Sequence, residues 1–129
     1  MDRDYGPRYY AVNGRPMAMM EWARTFEHYR HIGDDYLRVR GTTYRVSTVW
    51  LGLDHSMFWG GPPLIFETMV FTSPARSTDL MMRYSTLRQA QRGHVRMVRL
   101  VKRIVRSRRT RQIIHKGGKP VGRPTNHHL

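Results

Sequence analysis

Apolar positions follow a helical spacing near both ends of the chain and a strand-like pattern in the middle. Spacings of three and four residues predict an N-terminal helix over residues 17–31 and a C-terminal helix over 86–107, which Ser85 or Thr86 can cap. Between them, alternating, β-branched and aromatic stretches predict four strands, near residues 36–40, 44–54, 65–71 and 80–84. These elements predict an α+β fold, a small antiparallel sheet with the helices packed on a face.

Turn and breaker residues set the boundaries of these elements. Asn13-Gly14 predicts a tight turn, and Gly33 with Asp34-Asp35 predicts the end of the first helix. A chain of 129 residues has room for one domain, which we place at 1–107. Residues 108–129 carry Gly and Pro among basic side chains, a composition typical of a flexible, disordered tail.

The composition excludes several kinds of site. The chain has no cysteine, which rules out disulfides, thiolate metal sites and a cysteine nucleophile. Its apolar runs are far shorter than the roughly 18 residues that a membrane-spanning helix needs. Residues 1–4 lack the basic-then-apolar order of a signal peptide. We therefore expect a soluble cytosolic protein with no membrane span.

The charge is concentrated at one end of the chain. Lys and Arg total 23 against 9 Asp and Glu, a formal net charge of +14. Residues 84–129 hold 13 of the basic side chains and no acidic one, whereas residues 1–83 are almost neutral. Such a segment is attracted to phosphate, because each phosphate contact releases counterions from a nucleic acid. An anionic membrane surface or an acidic protein would attract it as well.

Six arginines line one side of the predicted C-terminal helix. At 100° per residue they fall within about a third of its circumference. They are Arg88, Arg92, Arg96, Arg99, Arg103 and Arg106. The opposite side carries an apolar stripe of Leu87, Ala90, His94, Met97, Val101 and Ile104. An ordinary solvated face mixes charges of both signs, so this one favours a face that binds a polyanion.

The predicted tail extends the basic surface. Its cations are Arg108, Arg109, Arg111, Lys116, Lys119 and Arg123. The segment Gly122-Arg123-Pro124 resembles the core of the AT-hook, a peptide that binds the A·T minor groove. Val121 stands where the AT-hook has Arg, and a flexible solubilising tail is the alternative interpretation.

Two carboxylates and two histidines form a weaker candidate site. If Asp54 pairs opposite Ile65, then Glu67 lies opposite Gly52 and both carboxylates project from one face. With His55 and with His94 from the helix, they could hold a divalent cation or divide acid and base roles.

Each of these residues also has a structural interpretation. Asp54 can accept turn amides, and His94 can be a neutral core imidazole bonded to a carboxylate or carbonyl. Glu67 can pair with a cation on a neighbouring strand. The candidate cations are Arg38, Arg40 and Arg45. We favour the structural interpretation.

The connection after the second predicted strand contains three large apolar side chains, Met57, Phe58 and Trp59. Exposed, such a cluster would form a partner-binding surface; folded over the sheet edge, it would belong to the core. The sequence leaves both open.

Two long stretches, 46–55 (VSTVWLGLDH) and 61–71 (GPPLIFETMVF), resemble a family of small uncharacterised proteins encoded by bacteriophages and prophages. The resemblance covers about residues 10–98. It also includes residues 13–16, 21–23, 83–86, Phe26, Ala90 and Gly93-His94. The resemblance implies a virus-encoded accessory protein acting in the host cytoplasm, and it implies no activity.

From the residues and this resemblance we expect a non-enzymatic protein that binds nucleic acid or a nucleoprotein target through its basic helix and tail. A host protein target, in host takeover or anti-defence, fits the viral resemblance. One alternative is a small metal-dependent hydrolase or nuclease, and another is a virion or assembly protein. We expect no cofactor, and a divalent metal only for the hydrolase alternative.

Overall fold

The computed structural model describes residues 8–28, 30–54, 61–75 and 78–117, with side chains described as far as residue 107. It contains two helices, α1 (Met19–His28) and α2 (Leu87–Gly117). The strands are β1 (Tyr9–Tyr10), β2 (Pro16–Met17), β3 (His31–Val39), β4 (Thr42–Trp50), β5 (Phe66–Ser73) and β6 (Met81–Tyr84).

Four strands form an antiparallel sheet in the order β3-β4-β5-β6, so neighbours in sequence are neighbours in space. The β3–β4 hairpin turns on Arg40 and Gly41, whose φ angles are both positive, at 49° and 80°. This backbone matches the strand twist, and glycine adopts it without strain. The short strands β1 and β2 pair separately across the expected Asn13-Gly14 turn.

Helix α2 covers one face of this sheet, here called the inner face, and packs its apolar side chains into two clusters. One cluster contains the buried side chains Tyr44, Val46, Val70, Met97, Val101 and Val105. The other contains Trp50, Ile65, Phe66, Tyr84 and Ala90. Between the two clusters lie three buried polar side chains, Thr48, Thr68 and His94. No described helix has an apolar stretch long enough to cross a membrane.

Helix α1 closes the Trp50 end of the inner face with aromatic side chains. Trp22 packs between Tyr9 and Phe26, with ring centroids 4.8 and 5.2 Å away. Its indole N–H donates to the Leu51 carbonyl at 2.8 Å. Gly52 has a φ of +68°, and a side chain there would collide with the Trp22 ring. The glycine therefore lets the chain leave β4 directly beneath α1.

The structure confirms the α+β class and corrects three boundaries. The first helix spans Met19–His28, and residues 31–35 belong to β3 because the long buried strand β4 hydrogen-bonds along their whole length. Strand β4 ends at Trp50 instead of Asp54, because Gly52 turns the chain away. Helix α2 continues to Gly117 instead of ending near 107, because no glycine or proline interrupts residues 94–116. The rest of the predicted tail lies outside the described residues.

Candidate nucleic-acid interface

The inner side of α2 is the part of the helix that fixes its position. Its buried residues are Ala90, Gly93, His94, Met97, Val101 and Val105. The sequence predicts the middle of this stripe, whereas Leu87 and Ile104 at its predicted ends are only half-buried and Val105 is buried. Gly93 is required because a Cβ there would overlap the Tyr84 ring. This close contact holds the helix tightly against β6.

The start of α2 is fixed by a reciprocal cap. The Thr86 hydroxyl accepts from the Gln89 backbone N–H at 3.1 Å. In return, the Gln89 side-chain oxygen accepts from the amides of Ser85 and Thr86, at 3.1 and 3.2 Å. This arrangement is a capping box, which satisfies amides that the first turn leaves without helical partners. The expected capping by Thr86 is confirmed.

The outer side of α2 carries a continuous row of exposed cations, here called the arginine ridge. It consists of Arg88, Arg92, Arg96, Arg99, Lys102, Arg103 and Arg106. Lys102 was not among the expected residues, although it lies only about 40° outside the arc of the six arginines at 100° per residue. From Arg88 to Arg106 the ridge is about 27 Å long, at 1.5 Å per residue.

Three arginines at the centre of the ridge form no ion pair with a described residue, in contrast to two arginines of the sheet. Among the described residues, the arginines of the four-stranded sheet that form ion pairs are Arg45 and Arg83. On the ridge, neither Arg92, Arg96 nor Arg99 forms an ion pair with a described residue. No acidic residue follows Asp79 in the sequence. The ridge therefore concentrates positive charge in a part of the sequence that holds no acidic side chain.

A paired cation looks different, as Arg45 on the outer face of the sheet shows. Its guanidinium donates to both carboxylate oxygens of Asp34, at 2.8 and 3.0 Å. The hydrogen bond from Arg45 holds the pKa of Asp34 below its ordinary value of 3.8, although partial burial opposes the shift. An arginine held in this way is less available to an external anion than one on the ridge.

His94 joins α2 to the sheet through a chain of hydrogen bonds. Its Nδ1 lies 2.6 Å from the Thr48 hydroxyl, and that hydroxyl lies 2.6 Å from Thr68 Oγ1. Its Nε2 lies 2.6 Å from a carboxylate oxygen of Asp35. If Nε2–H donates to Asp35, Nδ1 accepts from Thr48, whose oxygen accepts from Thr68. Gly33 makes room, since a Cβ there would come within 2.8 Å of the imidazole.

A substrate cannot reach the threonine end of this chain of hydrogen bonds. Thr48 and Thr68 are fully buried, so neither hydroxyl can meet an external molecule. Only Asp35 reaches solvent, with 56% of its side chain exposed. The arrangement matches the core-histidine interpretation, with Asp35 as the carboxylate that the sequence did not identify.

The register that would place Asp54 opposite Ile65 and Glu67 opposite Gly52 is not the observed one. Glu67 lies opposite Val49, and Asp54 lies four residues beyond Trp50, where β4 ends. The Asp54 carboxylate accepts the Leu64 backbone N–H at 3.0 Å, which is the turn role. Because β4 ends at Trp50 and β5 begins at Phe66, the two strands are too far apart in the sequence for a two-residue hairpin turn to set their register.

Glu67 and His94 lie on opposite faces of the sheet. The Glu67 carboxylate accepts from Arg83 at 3.1 Å on the outer face, whereas His94 packs against the inner one. An ion pair was expected, but its partner is on β6 instead of being Arg38, Arg40 or Arg45. No group of three potential metal-ligating side chains lies together within the part of the chain that the structure describes.

Several expected residues lie outside the described part of the chain. His55 and the apolar side chains of Met57, Phe58 and Trp59 are among them, as are Lys119 and Arg123. Arg108, Arg109, Arg111 and Lys116 belong to the helical backbone of α2, but their side chains are not described. Their roles stay predictions.

Comparison of the chain with protein-family models, with curated protein sequences and with solved structures finds no match in any of the three. The resemblance to phage proteins and the host location that it implies therefore stay predictions.

Proposed function

We propose that this protein binds nucleic acid through the arginine ridge of α2. The observation that carries the proposal is the row of seven exposed cations on a helix whose other side is packed against the sheet. Like charges at these spacings repel one another, which costs a few tenths of a kcal/mol for each pair. A polyanion removes this repulsion by placing phosphates between the guanidinium groups.

Arginine suits this role better than lysine does. Its planar guanidinium offers five N–H donors and can hold two oxygens of one phosphate at once. Six of the seven ridge cations are arginines. Because the helix is packed along the sheet, these groups are presented in a fixed row and bind with less loss of backbone freedom than a disordered basic segment.

The decisive experiment measures binding of a labelled nucleic acid by the full chain across a salt titration. The ridge variant replaces Arg92 and Arg99 with Gln. The matched control variant replaces Arg8 and Arg24, which are also exposed but do not belong to α2, and it removes the same charge. A plot of log K against log salt has a negative slope, and each lost phosphate contact makes that slope less steep by about 0.9 for B-DNA.

We expect the ridge variant to bind more weakly and to show a slope that is less steep by about 2. The control variant should keep the wild-type slope. Equal losses in the two variants would mean that net charge, and not the ridge, attracts the nucleic acid. An unchanged ridge variant, or a wild-type chain that binds no nucleic acid near physiological salt, would overturn the proposal.

A further inference from the structure

We propose that the arginine ridge binds double-stranded DNA in preference to single-stranded DNA and to double-stranded RNA. This inference rests on the proposed function, and it names the form of nucleic acid that the ridge fits. Three properties of the ridge carry it: the absence of aromatic side chains, its length and charge spacing, and its shape.

The basic part of the chain lacks the large aromatic side chains that serve as platforms for bases. From Ser85 to Leu129 the sequence contains no Phe, Trp or Tyr. Proteins that bind single strands rely on aromatic platforms, which contribute a large part of the binding by stacking on successive bases. A ridge that offers only cations and short aliphatic side chains contacts phosphates, which a duplex presents in ordered rows.

The exposed aromatic side chains of the four-stranded sheet lie on its other side. Tyr36 and Phe71 are 61% and 46% exposed. Both flank Arg45 in one cross-strand row, on the face opposite to the one that α2 covers. The sheet separates them from the ridge, so a single strand lying along the ridge cannot also stack on these rings.

The ridge matches a duplex in length and charge spacing. Its length of about 27 Å corresponds to about 8 base pairs at 3.4 Å each. Seven cations over this length give one positive charge for about every 4 Å, close to the 3.4 Å axial spacing of phosphates along one strand of B-DNA. A straight, rigid row of charge suits a stiff partner whose phosphates are already spaced.

The shape of α2 favours DNA over RNA. An α-helix with its side chains is about 10–12 Å across, and the B-DNA major groove is about 12 Å wide. The inner half of α2 is buried against the sheet, and the outer half, with the ridge, projects into solvent. A-form RNA has a deep and narrow major groove that does not admit such a helix.

The test compares three probes of identical sequence: duplex DNA, single-stranded DNA and duplex RNA. Each is bound by the full chain at the same salt concentration, together with a series of DNA duplexes of decreasing length. We expect the DNA duplex to bind at least about tenfold more tightly than either other probe. Affinity should fall steeply once the duplex is shorter than about 8 base pairs.

A Tyr36→Ala, Phe71→Ala double variant separates the two surfaces. It should bind duplex DNA as the wild-type chain does, because neither ring lies near the ridge. Equal or tighter binding of single-stranded DNA, lost in this variant, would overturn the inference and locate a single-strand site on the outer face. Tighter binding of duplex RNA would overturn the choice of DNA. Absence of binding to all three probes would instead overturn the proposed function itself.

Discussion

The two sides of α2 have the same backbone and opposite physical roles. The inner side buries Ala90, Met97 and Val101 against the sheet and holds His94 in a chain of hydrogen bonds. The outer side is a row of exposed cations. We therefore expect a substitution on the inner side to change the free energy of unfolding, and one on the outer side to change the affinity for the proposed nucleic acid.

This division means that stability and binding can be altered separately within one helix. A protein that carried its cations in the sheet would have to sacrifice ion pairs such as Asp34–Arg45 in order to bind. In the proposed function, the binding charges lie on the exposed side of α2 and the apolar contacts that fold the chain lie on its buried side.

The largest effect is expected from a charge placed on the inner side. Val101→Asp puts a carboxylate where the side chain is almost fully buried among apolar neighbours. Burial of an unpaired charge, with the loss of apolar contact, should cost about 4 kcal/mol or more and unfold much of the population. Urea denaturation followed by circular dichroism measures this.

Val95→Asp is the matched control, because Val95 is 49% exposed on the outer side. The new carboxylate faces Arg99 at the favourable i,i+4 spacing, so stability should change by less than about 0.5 kcal/mol while duplex binding weakens. Equal stability losses in the two variants would show that the two sides are not separable.

A smaller loss is expected when the hydrogen-bonded chain is broken at His94. His94→Leu removes the partner of the buried Thr48 hydroxyl and should cost about 2 kcal/mol. Replacing Thr48 and Thr68 with Val in the same chain should recover part of this loss, because no buried polar group is then left without a partner. If the triple variant were less stable than His94→Leu alone, hydrogen bonding would not be the role of this layer.

Gly93→Ala tests the close contact between α2 and β6. Alanine favours the helix by about 1 kcal/mol over glycine, but its Cβ overlaps the Tyr84 ring. We expect the steric overlap to outweigh the helix propensity of alanine, so that the free energy of unfolding falls by about 1–2 kcal/mol. With Tyr84→Leu as the background, the same substitution should become neutral or stabilising. A stabilising Gly93→Ala in the wild-type chain would contradict the contact.

The exposed ion pair between Asp34 and Arg45 shows how much a paired surface charge contributes to stability. Asp34→Asn should lower stability at neutral pH by about 0.5 kcal/mol, the usual size for a surface pair. Because the folded state lowers the pKa of Asp34, its contribution is present above pH 3.8 and disappears as the pH falls below that value. The stabilities of the two proteins should therefore converge in acid. A difference that persists there would exclude the ion pair as its cause.

The smallest effect on stability is expected on the ridge itself. Replacing Arg92 and Arg99 with Gln removes like-charge repulsion and should leave the melting temperature unchanged or slightly raised, with the rise largest at low salt. A lower melting temperature would show that the ridge also supports the fold.

The sequence predicts both sides of α2 because helical periodicity is a local property. The positions of Ala90, Met97 and Val101 follow from spacing alone, and so do the six arginines. The aromatic and β-branched residues of β4 and β5 likewise reveal strands without any knowledge of the fold.

The long-range pairings could not be obtained in this way. Asp35 and His94 are 59 residues apart, and Gly33-Asp34-Asp35 has the composition of a turn although it pairs with β4. The partner of Glu67 is Arg83, on the edge strand that follows it, because the meander order places β6 there. Register across a long connection depends on packing, which no short pattern records.

The polar layer of Thr48, Thr68 and His94 also sets where α2 stops along the sheet. Apolar clusters on either side of it would tolerate a helix that slides, since hydrophobic contact is not directional. A shift by one turn, about 5.4 Å, would carry the imidazole away from the Thr48 hydroxyl and the Asp35 carboxylate, and the imidazole would lose both hydrogen bonds within the core. The polar layer therefore fixes the position of α2 along the sheet. Every copy of the protein then presents its ridge cations at the same place relative to the strands.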